Sequence, residues 1–239
     1  MTILVVTAMP SELAPLTRRL GLRKEQRSGI DVRAGSVAGR AVLGAVIGVG
    51  PAAAGRSMDR LLDALDADLV VMVGICGGID PALDIGDVVV PTAAVDDDTA
   101  RVVTPGPLPG LSQQGKIVTC AGPILDDAHH ERWQAEGIVG IDMETAAVGA
   151  VSEDRGVPWS AVRAVSDRPA DGLVDTSILE LLREDGSPNL PAMLRRVVRH
   201  PGTVATLNRL RRDSSLAASN AVNTAITAIG KLDRPGNRS

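Results

Sequence analysis

The chain has 239 residues, of which 44% are apolar and 23% charged, an ordinary globular balance with enough length for one sizeable α/β domain. A net charge of −4 and a pI near 5.4 argue against an extended nucleic-acid surface, though a few arginines can still hold a small anion. Phe and Tyr are absent and there are only two tryptophans, so the core must be built from Leu, Val, Ile, Ala and Met, without a Phe or Tyr stacking platform at any site.

The N-terminus, "MTILVVTAMPSE", opens with a β-branched run lacking alternation, as expected of a strand buried on both faces. It lacks a basic region and turns polar too early for a signal peptide. "SELAPLTRRLGL" follows as a helix, with Ser11 as its cap and Gly21 as its stop. "VRAGSVAGRAVLGAVIGVG" reads as two strands joined at "AGR". Gly48 and Gly50 lead into Pro51, which suits the first turn of a helix over roughly 51–66. "DLVVMVGICGGI" is a buried strand entering a glycine turn, and "GDVVVPTAAVD" is one more strand. Residues 96–115, rich in Asp, Pro and Gly, read as a surface loop. "KIVTCAG" is a strand, "DDAHHERWQAEG" a helix, "VGIDM" leads into the helix "ETAAVGAVSEDRG", and "SAVRAVSD" is the last central strand. This alternation predicts an α/β fold, a mixed, mostly parallel sheet with helices on both faces, over residues 1–175. Residues 176–232 show helical periodicity, many arginines and proline breaks, and read as a helical extension packed on the same domain. Residues 233–239 read as a disordered tail. No apolar run approaches the roughly twenty residues needed to span a bilayer, and a soluble, cytoplasmic protein is expected.

Ligands in open α/β sheets bind beyond the carboxyl ends of the strands, and several acids fall there: Glu12 after the first strand, Asp142 and Glu144 after "IVGI", and Asp167 after "SAVRAVS". A carboxylate so placed can bind sugar hydroxyls, or move a proton when burial tunes its pKa. Alternatively each acid caps a helix, and Glu144 does lie near a helix start, where negative charge is favoured. "GICGGI" lacks the Lys of a P-loop and the spacing of a dinucleotide fingerprint; Gly77 and Gly78 would let a substrate approach the backbone. His129, His130 and His200 show no metal spacing. Cys76 and Cys120 read as buried free thiols of a reducing compartment, and no nucleophile elbow is present. Neither a metal nor a cofactor is expected.

Taken together, "VGICGGIDPALDIGDVVVP", "VGIDMETAAV" and "VRAVSD" resemble the three signatures of the nucleoside phosphorylase and nucleosidase superfamily, in matching order over roughly residues 2–170. The resemblance implies a three-layer α/β/α sandwich and cleavage of an N-glycosidic bond in a nucleoside, with no nucleic-acid partner and a homodimer or higher homo-oligomer. It places Met143 on the sugar face, Glu144 on its hydroxyls, Asp167 beside Ser166 as proton donor to the base, and Pro123 and Ile124 at the base-stacking position. Arg163, Gly77 and Gly78 join the substrate-binding set.

The acceptor is read from departures. Where the hexameric phosphorylases place two arginines and a hydroxyl on phosphate, this chain has Glu12, Met72 and Ile75, and "TAMPSE" resembles the nucleosidase start, whose Glu activates water. Hydrolysis of an adenine-type nucleoside or 5′-substituted nucleoside is therefore expected. The alternative is phosphorolysis, with Arg40 as a phosphate ligand contributed across a subunit interface or, failing that, a hairpin surface charge. The segment "ILELLREDGSPNLPAMLRRVVRHPGTVATLNRLRRD" is similar to the extension of hopanoid-associated phosphorylases, which extends that alternative to an adenosylhopane-type substrate. An inactive nucleoside-binding member is the remaining reading.

Overall fold

Alternate residues of the central strands face two separate hydrophobic layers. In β1 (Thr2–Thr7), Leu4 and Val6 point to one face of the sheet and Ile3 and Val5 to the other. β5 (Leu69–Gly78) divides Val70 and Met72 from Val71 and Val73 in the same way. A strand buried on both faces needs apolar side chains at every position, which is why these runs show no alternation. The structure is a computed structural model that describes residues 1–122, 127–168 and 203–232.

The sheet order is β2 (Arg23–Arg27), β3 (Ile30–Val37), β4 (Arg40–Val46), β1, β5, β10 (Ile138–Asp142), β9 (Lys116–Thr119), β7 (Ala93–Asp96) and β8 (Val102–Val103). A further strand, β11 (Trp159–Asp167), lies on β5 and carries β6 (Val88–Val89). The central pairings β4–β1, β1–β5 and β5–β11 are parallel. Antiparallel pairing is found at the β2–β3–β4 edge, at β7–β8, at β6–β11 and where β10 meets the end of β5. On one face α1 (Pro10–Leu20) and α5 (Thr203–Gly230) bury Leu13, Leu16, Ala217, Ala221 and Ala225. On the other, α2 (Pro51–Ala64) and α4 (Thr145–Asp154) bury Met58, Ala146 and Val148 against Trp159. This is the expected three-layer α/β/α arrangement. A smaller third cluster under α3 (Asp127–Ala135) gathers Trp133, Val118, Cys120 and Ile138.

Three local expectations are corrected, and one strand, β2, joins the expected set. Met9, not Ser11, is the N-cap of α1, and Glu12 Oε2 accepts the Met9 N–H at 2.8 Å; the αL stop at Gly21 forms as expected. β2, "RKEQR", is exposed at every position and forms by pairing with β3, so no apolar pattern announces it. "GDVVVPTAAVD" makes two strands, because Pro91 has no N–H for a ladder: β6 pairs antiparallel with β11 and β7 parallel with β9. The 96–115 segment contains β8 and buries Val103 and Leu108 in the two main layers, and its Gly106 N–H bonds Trp159 O at 2.7 Å. Of the expected helical extension, α5 lies against β5, β11 and α1, its alanine stripe allowing close approach. Residues 176–202 and 233–239 fall outside the described residues. Among the described residues no helix is long and apolar enough to cross a membrane.

Gly149 on α4 lies flat on Trp159: an added Cβ would sit 2.4 Å from Trp159 Cζ2 and 2.6 Å from Val103 Cγ2. Gly149→Ala gains about 1 kcal/mol of helix propensity but overpacks a buried ring, at about 1–3 kcal/mol. The overpacking wins, because the neighbours are a buried ring and a β-branched side chain with little freedom to yield. The thermal midpoint is expected to fall by a few degrees, readable by circular dichroism.

Candidate active site

β1 pairs with β5 only as far as Val6–Met72. Beyond that point β5 continues without it, and the first turn of α1 takes over: Glu12 Oε1 accepts the Ile75 N–H at 2.9 Å. A buried backbone donor must find a partner, and here a carboxylate supplies it. Glu12 is thereby held by two backbone donors, Ile75 and Met9, at the carboxyl end of the sheet.

Arg163 of β11 is directly opposite Gly74 of β5 in register. Because Gly74 has no side chain, the guanidinium and the Glu12 carboxylate both lie against its backbone. A Cβ at Gly74 would meet Glu12 Oε1 at 2.4 Å and Arg163 Nη1 at 2.7 Å. Arg163 is 1% exposed, and its Nη2 reaches Asp142 Oδ2 at 3.1 Å and Glu144 Oε2 at 3.5 Å. β10 runs antiparallel to the end of β5, which brings its last residue, Asp142, and the following Met143 and Glu144 back toward Arg163. Glu144 Oε1 accepts the Gly50 N–H at 2.9 Å, at the start of α2, where the positive end of the helix favours it.

Glu144 occupies the N-cap position of α4 but its side chain does not cap that helix. The capping is done by Asp142 Oδ1, which accepts the Thr145 N–H at 3.2 Å, and by Thr119 Oγ1, which accepts the Ala146 N–H at 2.9 Å. The Glu144 carboxyl is thus directed across the site toward Gly50 and Arg163. Met143 is half-buried beside it, its Cε 4.0 Å from where a Gly50 Cβ would stand. Gly50 itself has φ +95°, a conformation costly for other residues.

One guanidinium serves three carboxylates, and their protonation reflects it. Burial works against the Arg163 charge, but Asp142, Glu12 and Glu144 together outweigh it and hold the group cationic. Burial pushes the Glu12 carboxyl above the usual range, against the pull of Arg163 and of the backbone donors. Glu144 is pushed up to about 8, first by burial and then by the neighbouring Asp142 charge. Buried carboxylates with tuned, separated affinities for protons are what acid–base chemistry requires.

Asp167 ends β11 opposite Gly77, three residues further along β5 than Gly74, a separation of about 10 Å along the strand. The Ser166 hydroxyl donates to Asp167 Oδ1 at 2.6 Å and also lies 3.3 Å from Cys76 O. Burial pushes the Cys76 thiol up to about 12, which leaves it inert. At Gly77 and Gly78 protein side chains, not open space, fill the volume a Cβ would take: Ile141 Cγ2 lies 3.0 Å from the first and Val165 Cγ1 2.9 Å from the second. Those glycines serve strand packing.

Arg40 starts β4, beside the N-terminal end of β1 and so at the opposite end of the sheet from Glu12. It is buried, and its Nη2 donates to Leu232 O just past α5; it is not a surface charge. Pro123 and Ile124 lie outside the described residues. The structure therefore brings Glu12, Met143, Glu144 and Arg163 together, with Ser166 and Asp167 one step along β5. Gly74, Gly50 and Thr119 escaped the sequence reading; the alignment of "VGI" with "VRA" in two adjacent parallel strands was the signal for Gly74. Among the described residues no group of three or more His, Cys, Asp or Glu side chains is arranged to hold a metal ion.

The 5′-methylthioadenosine/S-adenosylhomocysteine nucleosidase of Anoxybacillus flavithermus is 27% identical over 198 residues, 70% of this chain and 85% of that protein. The nucleosidase of the same name from Tolumonas auensis is 26% identical over 230 residues, 82% of this chain and all of that one. Among solved structures, the nucleosidase of this name from S. pneumoniae, with the transition-state inhibitor MT-ImmA, superposes with a TM-score of 0.74 at 17% identity over 98% of this chain and 100% of that chain. Futalosine hydrolase of Helicobacter pylori superposes at 0.72 with 14% identity, over 97% and 98%. The Phosphorylase superfamily model matches residues 2–111 and 109–199, and with most of its length so matched the chain belongs to the Phosphorylase superfamily.

Proposed function

We propose that the protein is a nucleosidase that hydrolyses the N-glycosidic bond of a purine nucleoside of the adenine type, including 5′-substituted forms. Family membership and the curated relatives support an enzyme that is an N-glycosyl hydrolase or a nucleoside phosphorylase. The choice of water over phosphate rests on one observation: at the positions where the resemblance to phosphorylases would put phosphate ligands, this chain has the carboxylate of Glu12, bonded to the Ile75 N–H, and the apolar Met72 and Ile75, while Arg163 Nη2 is engaged by Asp142 and Glu144. A phosphate dianion about 4 Å from one such carboxylate meets a repulsion of about 4 kcal/mol per unit charge at an effective dielectric of 20. The cation beside it, Arg163, already has its Nη2 engaged by Asp142 and Glu144.

In this reading Glu12, with its raised proton affinity, is a stronger base than an ordinary carboxylate and takes the proton of the attacking water. The sugar develops positive charge as the bond to the base breaks, as in other glycoside cleavages. Met143 packs on the sugar and Glu144 binds its hydroxyls. Asp167, one step along β5, gives its proton to the departing purine, and the Ser166 hydroxyl, bonded to Asp167 Oδ1, fixes the carboxyl's orientation. The names of the curated relatives support adenine-type substrates with a 5′-thio substituent.

Purified protein should release adenine from 5′-methylthioadenosine or S-adenosylhomocysteine in phosphate-free buffer, with a free sugar as coproduct and no acceleration by added phosphate. A sugar 1-phosphate would overturn the hydrolytic reading. Glu12→Gln should lower kcat about 10²–10⁴-fold, as loss of a general base does, and remove the acid limb of kcat/KM. That limb should lie above the usual carboxylate range, because the active form of Glu12 is the deprotonated one and its pKa is raised.

Asp167→Asn should slow release of adenine by a similar factor, while a nucleoside analogue whose leaving group needs no proton should be cleaved at nearly the wild-type rate. Equal losses on both would remove Asp167 from proton transfer. Gly74→Ala should displace Glu12 and Arg163 together, reducing kcat by at least about 10²-fold in a protein that still folds by circular dichroism.

A further inference from the structure

Asp142 takes no part in the steps above, yet it carries a dense set of contacts. Its Oδ1 accepts from Thr119 Oγ1 at 2.7 Å, Thr145 N at 3.2 Å and Glu144 N at 3.3 Å. Its Oδ2 accepts from Thr145 Oγ1 and from Arg163 Nη2, the latter at 3.1 Å. Five donors fill the acceptor sites of a carboxylate, so no place remains for a substrate hydroxyl. The side chains involved are almost wholly buried, Thr119 at 1% and Thr145 at 0% exposure.

Arg163 is the complement. Nη2 is engaged, while the buried Nε and Nη1 have no hydrogen-bond partner among the described residues. An orphaned buried donor is costly, and Nη1 is the atom that lies against Gly74 beside Glu12 Oε1. The guanidinium thus has one anchored edge and one edge left for something that arrives at Glu12.

We propose that Asp142, gripped by the hydroxyls of Thr119 and Thr145, is a positioning residue that anchors Arg163 by Nη2 and so aims its free edge at the Glu12 side of the site. The same carboxylate caps α4, so the orientation of Arg163 and the placement of Met143 and Glu144 are set by one group. Thr119 ends β9 and its hydroxyl also receives the Ala146 N–H, which ties the device to a strand that contributes no reacting group. The kinetic side of this inference rests on the nucleosidase reading.

Asp142→Asn separates anchoring from capping. The amide oxygen can still accept from Thr119, Thr145 N and Glu144 N, whereas the amide nitrogen faces Arg163 with a donor. The expected result is a kcat for 5′-methylthioadenosine reduced about 10²-fold, with KM within threefold of wild type. Thr119→Val should lower kcat and Thr119→Ser, which restores the hydroxyl, should recover it. A kcat within threefold of wild type in Asp142→Asn, or normal activity per folded molecule in Thr119→Val, would overturn the proposal. A readout without turnover decides it separately: in protein labelled with ¹⁵N-arginine, the Arg163 Nη resonances should be resolved by slow rotation in the wild type and averaged in Asp142→Asn. If wild type cleaves no nucleoside, the nucleosidase reading falls, and this spectrum still supports the anchor when the resonances average and overturns it when they do not change.

Discussion

A single buried positive charge organises the carboxyl end of this sheet. Arg163 is removed from water at a cost that close, well-directed carboxyl groups offset, and three are supplied from three different elements: Glu12 from α1, Asp142 from β10 and Glu144 from the entrance to α4. Each of these acids would be unstable where it stands without the guanidinium. Removing the guanidinium would leave the acids buried without a counter-charge, so the cluster forms around it. The requirement reaches back into the backbone: β5 must present a glycine opposite Arg163, and β1 must stop short so that a side chain from α1 can replace it as partner of Ile75.

The excess of carboxylates over cations at this point has a chemical use. Three acids around one arginine cannot all release their protons with equal ease. Burial is the first cause that raises both Glu12 and Glu144. A stabilising core would have been served better by apolar side chains of the same volume. That the chain retains charges here, and divides their proton affinities, fits a site built for proton movement and for hydroxyl recognition.

Much of this was legible in the sequence, for definite reasons. Runs such as "TILVVT" and "LVVMV" declare strands buried on both faces, and acids immediately after such runs declare the open end of a parallel sheet, which is how Glu12, Glu144 and Asp167 stand out. What escaped depended on register between strands far apart in the chain. No local pattern aligns Gly74 with Arg163, or sends the Gly50 N–H to Glu144 across 94 positions. The cap of α1 was misread because Ser11 is a better capping residue than Met9 in isolation, while the requirement for Glu12 to reach both Met9 and Ile75 moves the helix start upstream. β2 was invisible because a fully exposed edge strand carries no hydrophobic signature.

The poverty in aromatic residues has a spectroscopic consequence. With no tyrosine in the chain, emission excited in the near ultraviolet comes from Trp133 and Trp159 alone. These occupy different hydrophobic clusters: Trp159 lies under α4 in one of the two main layers, and Trp133 in the small group beneath α3. Each ring is almost wholly shielded from water. Intrinsic fluorescence therefore carries two separable signals, one for the layer that supports Arg163 and Glu144, and one for the outlying cluster next to β9 and β10. Replacing either ring leaves a single-emitter protein in which loosening of one region can be watched without interference from the other.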